Sequence, residues 1–389
     1  MVGLMYRATG SLRPLLHSPH YTTQAAHQQD TRKLRDHGWQ LVASACQLRN
    51  TGDYVSVQRL GLPIVVRNFD GTLAAFENVC AHRQCRLVSL PRGRSDELKC
   101  PYHGWRYGMD GRTRKLPGAS NFPHFERDKY RLSQYAVRRI GQLVFVRLNE
   151  GRLRSQQNGS SVRLECSDDL SLDDVDGWES QFADLTDAGR WRLILDEELS
   201  YDCDWKIPLE GSLESYHLSE IHGTTLGEDP GEASTEHRFH DWGTKFRTTA
   251  RDDSFLARME ERVVRSISGS FNPSYEHIHV FPNVMASFTS TLSLVYQIYP
   301  TQPQRCAMRV LGFVRRSERM SFVGNGLSRG LGVFARGFAR KVLREDARIF
   351  PEVQIGMTGA EQNRIFGRCE ERLHAFHEYW LATYNEEAN

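Results

Sequence analysis

The 389-residue sequence lacks several features that would assign it quickly to a class of protein. No apolar run approaches the roughly 18 residues that a membrane helix needs, since the longest runs, such as LPIVV, have the length of a strand. A net charge of only +2 gives no reason to expect nucleic acid or a membrane as a partner. No solenoid repeat and no flavin, nicotinamide or haem motif occurs. The sequence therefore predicts a soluble globular protein with room for two domains.

Cysteine is sparse, and acidic residues are missing from the first 29 positions. Eight cysteines in a chain of this length do not form a disulfide scaffold, so a reducing cytoplasm is the expected location. The acid-free start is compatible with an organelle transit peptide. Because no strong amphipathic helix accompanies it, we expect residues 1–37 to be a flexible lead-in instead.

The pattern of apolar residues divides the remaining chain into three parts. Residues 38–150 carry short strand-like runs with Asp-Gly pairs at 70–71 and 110–111, which are typical of antiparallel hairpins. Residues 151–184 are polar and predict a linker or solvated excursion. Residues 185–389 combine alternating strands at 278–315 with helical spacing at 205–222 and near the C-terminus. The fold class is therefore α+β.

Two Cys-His pairs at residues 80–103 form the strongest motif of the sequence. Cys80-x-His82 and Cys100-x2-His103 are separated by 17 residues. Structural zinc sites usually draw on pairs spaced C-x2–4-C. A Rieske [2Fe–2S] cluster takes two thiolates on one iron and two imidazoles on the other. The mixed pairs favour the Rieske cluster, with zinc or a chance arrangement of loops as the alternatives.

A second group of potential metal ligands lies in DCDWKIPLEGSLESYHLSEIHGTT, residues 202–225. Two histidines and one carboxylate can hold Fe(II) while leaving coordination positions open. The spacing of His217 and His222 alone is weak evidence, because residues five apart on a helix point about 140° apart. The helix would have to bulge or end there, for which Gly223 is suited. Otherwise both are ordinary surface histidines.

Together the two motifs resemble those of a known family, the α subunits of ring-hydroxylating Rieske non-haem iron oxygenases. The shared strings are C-x-H-R with C-P-Y-H-G-W at 80–105, and W-K then E-x3-E-x-Y-H-x4-H at 205–222. The resemblance implies an N-terminal antiparallel β Rieske domain before a helix-grip (START-like) catalytic domain. It also implies a [2Fe–2S] Rieske cluster and a mononuclear Fe(II). The cluster ligands would be Cys80, His82, Cys100 and His103.

The same resemblance assigns roles in the second domain. His217 and His222 would bind Fe(II) with an acid in VLREDARIFPEVQIGM, which places Asp346 at the ligand position. Glu345 and Glu352 are the competing candidates for this ligand position. The alternative for acids on an exposed helix is ordinary solvation.

Glu214 is the candidate catalytic residue outside the metal ligands. Its position, three residues before His217, would let it orient that imidazole. The resemblance further implies that it links His217 to His103 of a neighbouring subunit. The alternative is a solvated glutamate on the helix.

Two residues between the shared strings, Cys85 and Gln84, depart from the family pattern. In respiratory Rieske proteins, a cysteine at the position of Cys85 forms a disulfide with a second cysteine. Tyr102 occupies the position of that second cysteine here, so the disulfide cannot form and we expect Cys85 to be a small buried thiol. Gln84 replaces a glycine usual after His-Arg, which leaves the local loop conformation open.

The predicted function is that of an oxygenase component. It would use O2 and electrons from a separate NAD(P)H-dependent reductase, alone or through a ferredoxin, to hydroxylate or oxidatively demethylate a small organic substrate. A head-to-tail homotrimer is implied. The alternatives are a quaternary-ammonium N-dealkylating monooxygenase of the same family, and an electron-transfer or redox-sensing Rieske protein without oxygenase activity. Basic residues around the cluster loops would steer an acidic partner, or are simply solvated.

Overall fold

The computed structural model describes residues 6–148, 177–249, 255–318, 322–360 and 364–385. The chain forms two compact units: a smaller unit of residues 34–183 and a larger unit of residues 1–33 with 184–389. Most of the predicted linker at 151–184 lies outside the described residues. Every helix in the described ranges is too short or too polar to cross a membrane.

The smaller unit is built on two antiparallel sheets. Its main sheet has seven strands in the order β1-β10-β9-β4-β3-β2-β5, and a three-stranded sheet has the order β6-β7-β8. The Asp-Gly pair at 70–71 joins β3 to β4 with positive φ at both residues, as a tight hairpin turn requires. The strand bounds are β1 Trp39–Ser44, β2 Asp53–Arg59, β3 Leu62–Phe69, β4 Thr72–Glu77, β5 Arg92–Arg94, β6 Leu98–Lys99, β7 Arg106–Tyr107, β8 Thr113–Lys115, β9 Gln134–Ile140 and β10 Leu143–Arg147.

The larger unit contains one antiparallel sheet of seven strands in the order β11-β17-β16-β15-β14-β13-β12. The four strands from β14 to β17 follow one another as a meander, in the stretch where the sequence alternates. The strand bounds are β11 Trp191–Tyr201, β12 Thr235–His240, β13 Gly243–Thr249, β14 Ser274–Val280, β15 Val284–Phe288, β16 Leu292–Gln302 and β17 Arg305–Arg315.

Helices flank these sheets, and one of them sets the position of the candidate site. The helix bounds are α1 Pro19–Thr22, α2 Gln24–His37, α3 Trp178–Leu185, α4 Lys206–Gly211, α5 Leu218–Ile221, α6 Phe255–Ser268, α7 Phe322–Asp346, α8 Phe350–Gly359 and α9 Glu371–Asn385. Small side chains line the buried face of α7, so it lies close against β11 and β17. A Cβ at Gly332 would come within 3.1–3.3 Å of Arg192, Ile194 and Val314. The close packing fixes the course of α7 towards Asp346, its last residue.

The expectation of a flexible lead-in at residues 1–37 is wrong for the part that the structure describes. Tyr21 is buried and its hydroxyl donates to Glu210. Asp30 accepts from the Trp205 indole at 2.9 Å and pairs with Lys206, which is itself fully buried. Residues 6–33 therefore form part of the larger unit, through contacts with residues far along the chain that no local pattern reveals.

The predicted single helix at 205–222 is also wrong, because two short helices occupy that range. α4 ends at Gly211, and a turn at residues 212–217 leads into the four-residue α5. His217 immediately precedes α5 and His222 immediately follows it. The helix thus ends where the spacing of the two histidines requires it to end.

Candidate metal centres and substrate cavity

Two loops of the smaller unit bear the Cys-His pairs, and their backbones follow the same hydrogen-bond pattern. The Cys80 N–H donates to Cys85 O and the Cys100 N–H to Trp105 O, both at 2.8 Å. Four residues after each cysteine, Gln84 and Gly104 donate back to the cysteine carbonyl at 3.0 and 3.1 Å. The loops therefore present both thiols in equivalent positions, as a pair of ligands to one metal ion needs.

The two histidines of the loops come together beside the thiols. The His82 and His103 rings lie 4.7 Å apart, and His82 stacks on Trp105 with ring centroids 4.9 Å apart. Their Nδ1 atoms are buried, and nothing in the described ranges hydrogen-bonds either atom. A buried imidazole nitrogen without a partner is costly unless it binds something. Two thiols and two free Nδ1 atoms fit the ligand set of a [2Fe–2S] Rieske cluster.

Tyr107 positions its hydroxyl against one of these thiols. The Ala81 N–H donates to the Tyr107 oxygen at 3.1 Å, so the phenol proton is free to point at Cys80 Sγ, 3.0 Å away. Burial is the main reason that the pKa of Tyr107 is raised, and the phenol therefore stays protonated as a donor. Hydrogen bonds to the sulfurs help set the reduction potential of such clusters.

The two departures from the family pattern have simple local outcomes. Gln84 adopts a left-handed φ of 57°, the conformation that Gly104 adopts with a φ of 74° at the equivalent place in the other loop. Cys85 is free, as expected, but it is half-buried rather than buried.

Three side chains of the larger unit converge on one point. Ligand atoms of His217, His222 and Asp346 all lie within 4.8 Å of one another. Asp346 Oδ1 is 2.8 Å from His222 Nε2 and 3.8 Å from His217 Nε2. The distances place both Nε2 atoms around one carboxylate, an arrangement suited to a single cation. The competing acid Glu352 lies exposed on α8.

Each of the two histidines is held by a carboxylate at its other nitrogen. Glu214 lies 2.5 Å from His217 Nδ1 and also accepts the His217 backbone N–H at 3.1 Å. The contact is made within the turn that precedes α5. With Nδ1–H donated to Glu214, the Nε2 lone pair of His217 is left for a metal ion.

Glu345 holds His222 in the same way, which the sequence did not reveal. Its Oε2 lies 2.9 Å from His222 Nδ1 and accepts the Thr225 hydroxyl at 2.6 Å. The expectation of a solvated surface acid is therefore wrong for Glu345. Burial alone would lower the pKa of both histidines, yet the surrounding carboxylates raise it overall. The negative surroundings favour a bound cation.

A cavity of about 120 Å³ adjoins these three side chains. An engineered apolar cavity of ~150 Å³ is large enough for benzene, so this one suits a small organic molecule. Its wall is mostly aromatic and aliphatic, and a Cβ on Gly211 would lie 3.3 Å from the Phe350 ring that closes one side. Of the aromatic residues that the sequence offers in β13 to β16, Tyr275 and Tyr296 line the cavity.

Comparison with known proteins shows the family of this chain. Residues 182–386 match the ring hydroxylating alpha subunit (catalytic domain) and residues 38–126 match the Rieske [2Fe-2S] domain. The chain belongs to the ring hydroxylating alpha subunit family, which confirms the resemblance and the fold class. These domains imply a Rieske cluster and a mononuclear iron, and both donor sets described above fit them.

Individual relatives are more distant. The glycine betaine monooxygenase oxygenase subunit of Chromohalobacter salexigens is 27% identical over 212 residues, 54% of this chain and 44% of that subunit. The chloroplastic choline monooxygenase of Spinacia oleracea is 24% identical over 381 residues, covering 93% of this chain and 76% of that protein. The chain thus spans about half the length of the first of these relatives.

Among solved structures, a quaternary ammonium Rieske monooxygenase in complex with an inhibitor is similar, with a TM-score of 0.73. The identity is 17%, and the superposition covers 96% of this chain and 95% of that one. At this identity the likeness shows the fold alone.

Proposed function

We propose that the protein is the oxygenase component of a Rieske system that uses O2 and externally supplied electrons to hydroxylate, or oxidatively demethylate, a small organic substrate. The observation that carries the proposal is the position of His217, His222 and Asp346 at the wall of a cavity of substrate size. An electron-transfer protein without oxygenase activity would need neither three ligands that leave coordination positions open nor the cavity.

Each residue has a task in this proposal. Cys80, Cys100 and the free Nδ1 atoms of His82 and His103 hold the cluster. The Nε2 atoms of His217 and His222 hold Fe(II) together with Asp346. Bound there, the iron supplies a site where O2 can be activated, because two imidazoles and one carboxylate leave coordination positions open.

The remaining residues orient these ligands and exclude water. Glu214 and Glu345 each fix an imidazole by accepting its Nδ1–H, so that both Nε2 lone pairs face the same point. Leu294, Met308, Val310 and Leu343 keep much of the cavity apolar, which limits the water that can compete with a substrate.

Oxygen consumption tests the proposal directly. The iron-loaded chain, supplied with electrons by a reductase of broad specificity, should consume O2 in proportion to product formed from a substrate screen. His217→Ala should abolish turnover and leave the visible spectrum of the cluster unchanged. Turnover that survives in this variant would refute the triad.

A quaternary-ammonium substrate is the second candidate, favoured by the rings around the cavity. Tyr201, Tyr275, Tyr296 and Phe350 all line it, and aromatic faces attract quaternary ammonium groups. The relatives named for glycine betaine and choline point the same way. Demethylation or hydroxylation of such compounds, but not of aromatic ones, in the same screen would select this candidate.

A separate reductase, alone or with a ferredoxin, is the proposed electron donor. Several of the basic side chains around the cluster loops pair with acids of the same unit, as Arg112 does with Asp128. Arg83, Arg86 and Arg92 are exposed beside the cluster loops and support docking of an acidic partner. Electron transfer should then slow as ionic strength rises, and a rate independent of salt would contradict this docking.

The proposed assembly is a head-to-tail homotrimer in the cytoplasm, with Glu214 facing His103 of the partner subunit. Tyr102 and Leu90 are large apolar side chains exposed in the cluster-bearing unit, which supports contact with another subunit there. Sedimentation should give about three times the 44.7 kDa mass of one chain. A monomeric species with full turnover would contradict the assembly.

A further inference from the structure

A chain of hydrogen bonds runs through one wall of the substrate cavity and begins at a buried cation. The Arg372 guanidinium donates to His277 Nδ1 at 2.8 Å, and His277 Nε2 lies 2.8 Å from the Tyr296 hydroxyl oxygen. His277 and Tyr296 both line the cavity, on β14 and β16, whereas Arg372 lies behind them on α9. Among the described residues, no hydrogen bond joins any of the three to a proposed iron ligand.

Arg372, at the start of this series of hydrogen bonds, fixes the direction of each of them. A guanidinium only donates hydrogen bonds, so His277 Nδ1 must accept. Burial and the nearby Arg372 charge hold the pKa of His277 well below its usual range, so the ring is neutral. Its single proton is then on Nε2 and is donated to the Tyr296 oxygen.

The Tyr296 hydroxyl must therefore donate its own proton elsewhere. Burial raises the pKa of Tyr296, so the phenol stays protonated. The neighbouring Ser212 already donates its hydroxyl to Pro208 O at 2.9 Å, so it can only accept from Tyr296. An acceptor bound in the cavity can take its place. The Tyr296 hydroxyl can thus act towards the cavity only as a hydrogen-bond donor.

The charge at the start of the chain reinforces this polarity. Arg372 is 1% exposed, and its other donors go to Thr244 Oγ1 and Leu213 O. Within the described ranges it forms no ion pair with a carboxylate. Burial lowers the pKa of Arg372 to about 10, which leaves it charged at neutral pH. A buried positive charge favours electron-rich groups at the far end of the chain.

We infer that Tyr296 is a specificity-determining residue that donates a hydrogen bond to an oxygen acceptor on the substrate, and that His277 and Arg372 position it. The preferred substrate is then a small molecule whose apolar part contacts the rings and whose hydroxyl, carbonyl or carboxylate oxygen lies against Tyr296. The inference rests on the proposed function only in assigning the substrate to this cavity.

Binding of two matched pairs of compounds tests the inference without turnover. Choline is compared with ethyltrimethylammonium, and benzyl alcohol with toluene, since each pair differs in one hydroxyl group. Dissociation constants are measured anaerobically on the iron-loaded chain. Whichever pair binds, wild-type protein should favour the hydroxyl compound by roughly 3- to 10-fold, because only that compound offers an oxygen acceptor to the Tyr296 hydroxyl. The pair that binds also distinguishes a quaternary-ammonium from an aromatic substrate.

Variants separate the role of the donor from general damage to the cavity. Tyr296→Phe should reduce the preference to under about threefold. Tyr275→Phe, the matched control, removes a hydroxyl from the same cavity outside this chain of bonds and should keep the preference. His277→Gln can still accept from Arg372 and donate to Tyr296, so it should retain the preference that His277→Leu loses.

Several results would overturn the inference. They are equal binding within both pairs in wild-type protein, binding of none of the four compounds, a preference that persists in Tyr296→Phe, or an equal loss in Tyr275→Phe. If His277→Leu does not fold, the two tyrosine variants still decide. Since binding is measured without O2, a chain that binds selectively but never turns over would contradict the proposed function and leave this inference standing.

Discussion

Gln84 is a residue whose backbone conformation suits glycine better than any side chain. Its φ of 57° costs a residue with a Cβ about 1–2 kcal/mol, although glycine loses about 0.5–1 kcal/mol more entropy on folding. Gln84→Gly should therefore stabilise the smaller unit by up to about 1.5 kcal/mol. Thermal loss of the visible absorbance of the cluster would report the change as a higher midpoint.

Gln304 provides the matched control, since it has a similar φ of 55° in the larger unit. Its side chain donates to Thr22 O at 3.1 Å, a bond worth about 1 kcal/mol that glycine cannot make. Gln304→Gly should thus be neutral or destabilising. A stabilisation equal to that of Gln84→Gly would show that the hydrogen bond from Gln304 to Thr22 O contributes nothing, which contradicts this account.

At the scale of single elements, the last turn of α7 supplies two acids with different tasks. Asp346 faces both Nε2 atoms, while Glu345 holds Nδ1 of His222. Removing such an orienting carboxylate typically lowers metal affinity 10- to 100-fold. Glu345→Gln should therefore weaken Fe(II) binding at the mononuclear site by that factor, measured by competition with a chelator.

Glu352→Gln is the control for this experiment, because Glu352 is exposed on α8. It should leave the Fe(II) affinity unchanged. Equal effects of the two substitutions would mean that Glu345 acts through general charge rather than through His222.

The elements also show how much of the structure could be predicted from the sequence. Strands β2 to β4 and β14 to β17 could be predicted, because alternation and an Asp-Gly turn are local signals. The break between α4 and α5 was implied only by the spacing of two histidines. The tasks of Glu345 and Arg372 depend on partners more than 90 residues away, so no local pattern could assign them. The packing of residues 6–33 was missed for the same reason.

At the scale of the whole molecule, buried histidines make the larger unit sensitive to acid. His279 is fully buried, and its pKa is lowered to about 3 by burial, with a smaller contribution from Arg372. The unfolded chain binds a proton near the ordinary pKa of 6.5, while the folded chain does not. The free energy of unfolding therefore falls as pH drops below about 6.5, by about 2 kcal/mol at pH 5 from this group.

His279→Gln should remove this part of the acid sensitivity, because glutamine can still donate to Pro282 O but does not titrate. Denaturant unfolding followed by tryptophan fluorescence from pH 7 to 5 measures the slope. The exposed His17→Gln is the control and should leave it unchanged. Identical pH slopes in wild type and His279→Gln would contradict the assignment.

The central claim is that the chain carries two separate iron sites. Iron analysis after anaerobic loading with Fe(II) tests it most directly. We expect about three irons per chain in the wild type, two in the cluster and one held by His217, His222 and Asp346. His217→Ala should retain about two, with the cluster spectrum intact. About two irons in the wild type, or no loss of iron in His217→Ala, would contradict the account.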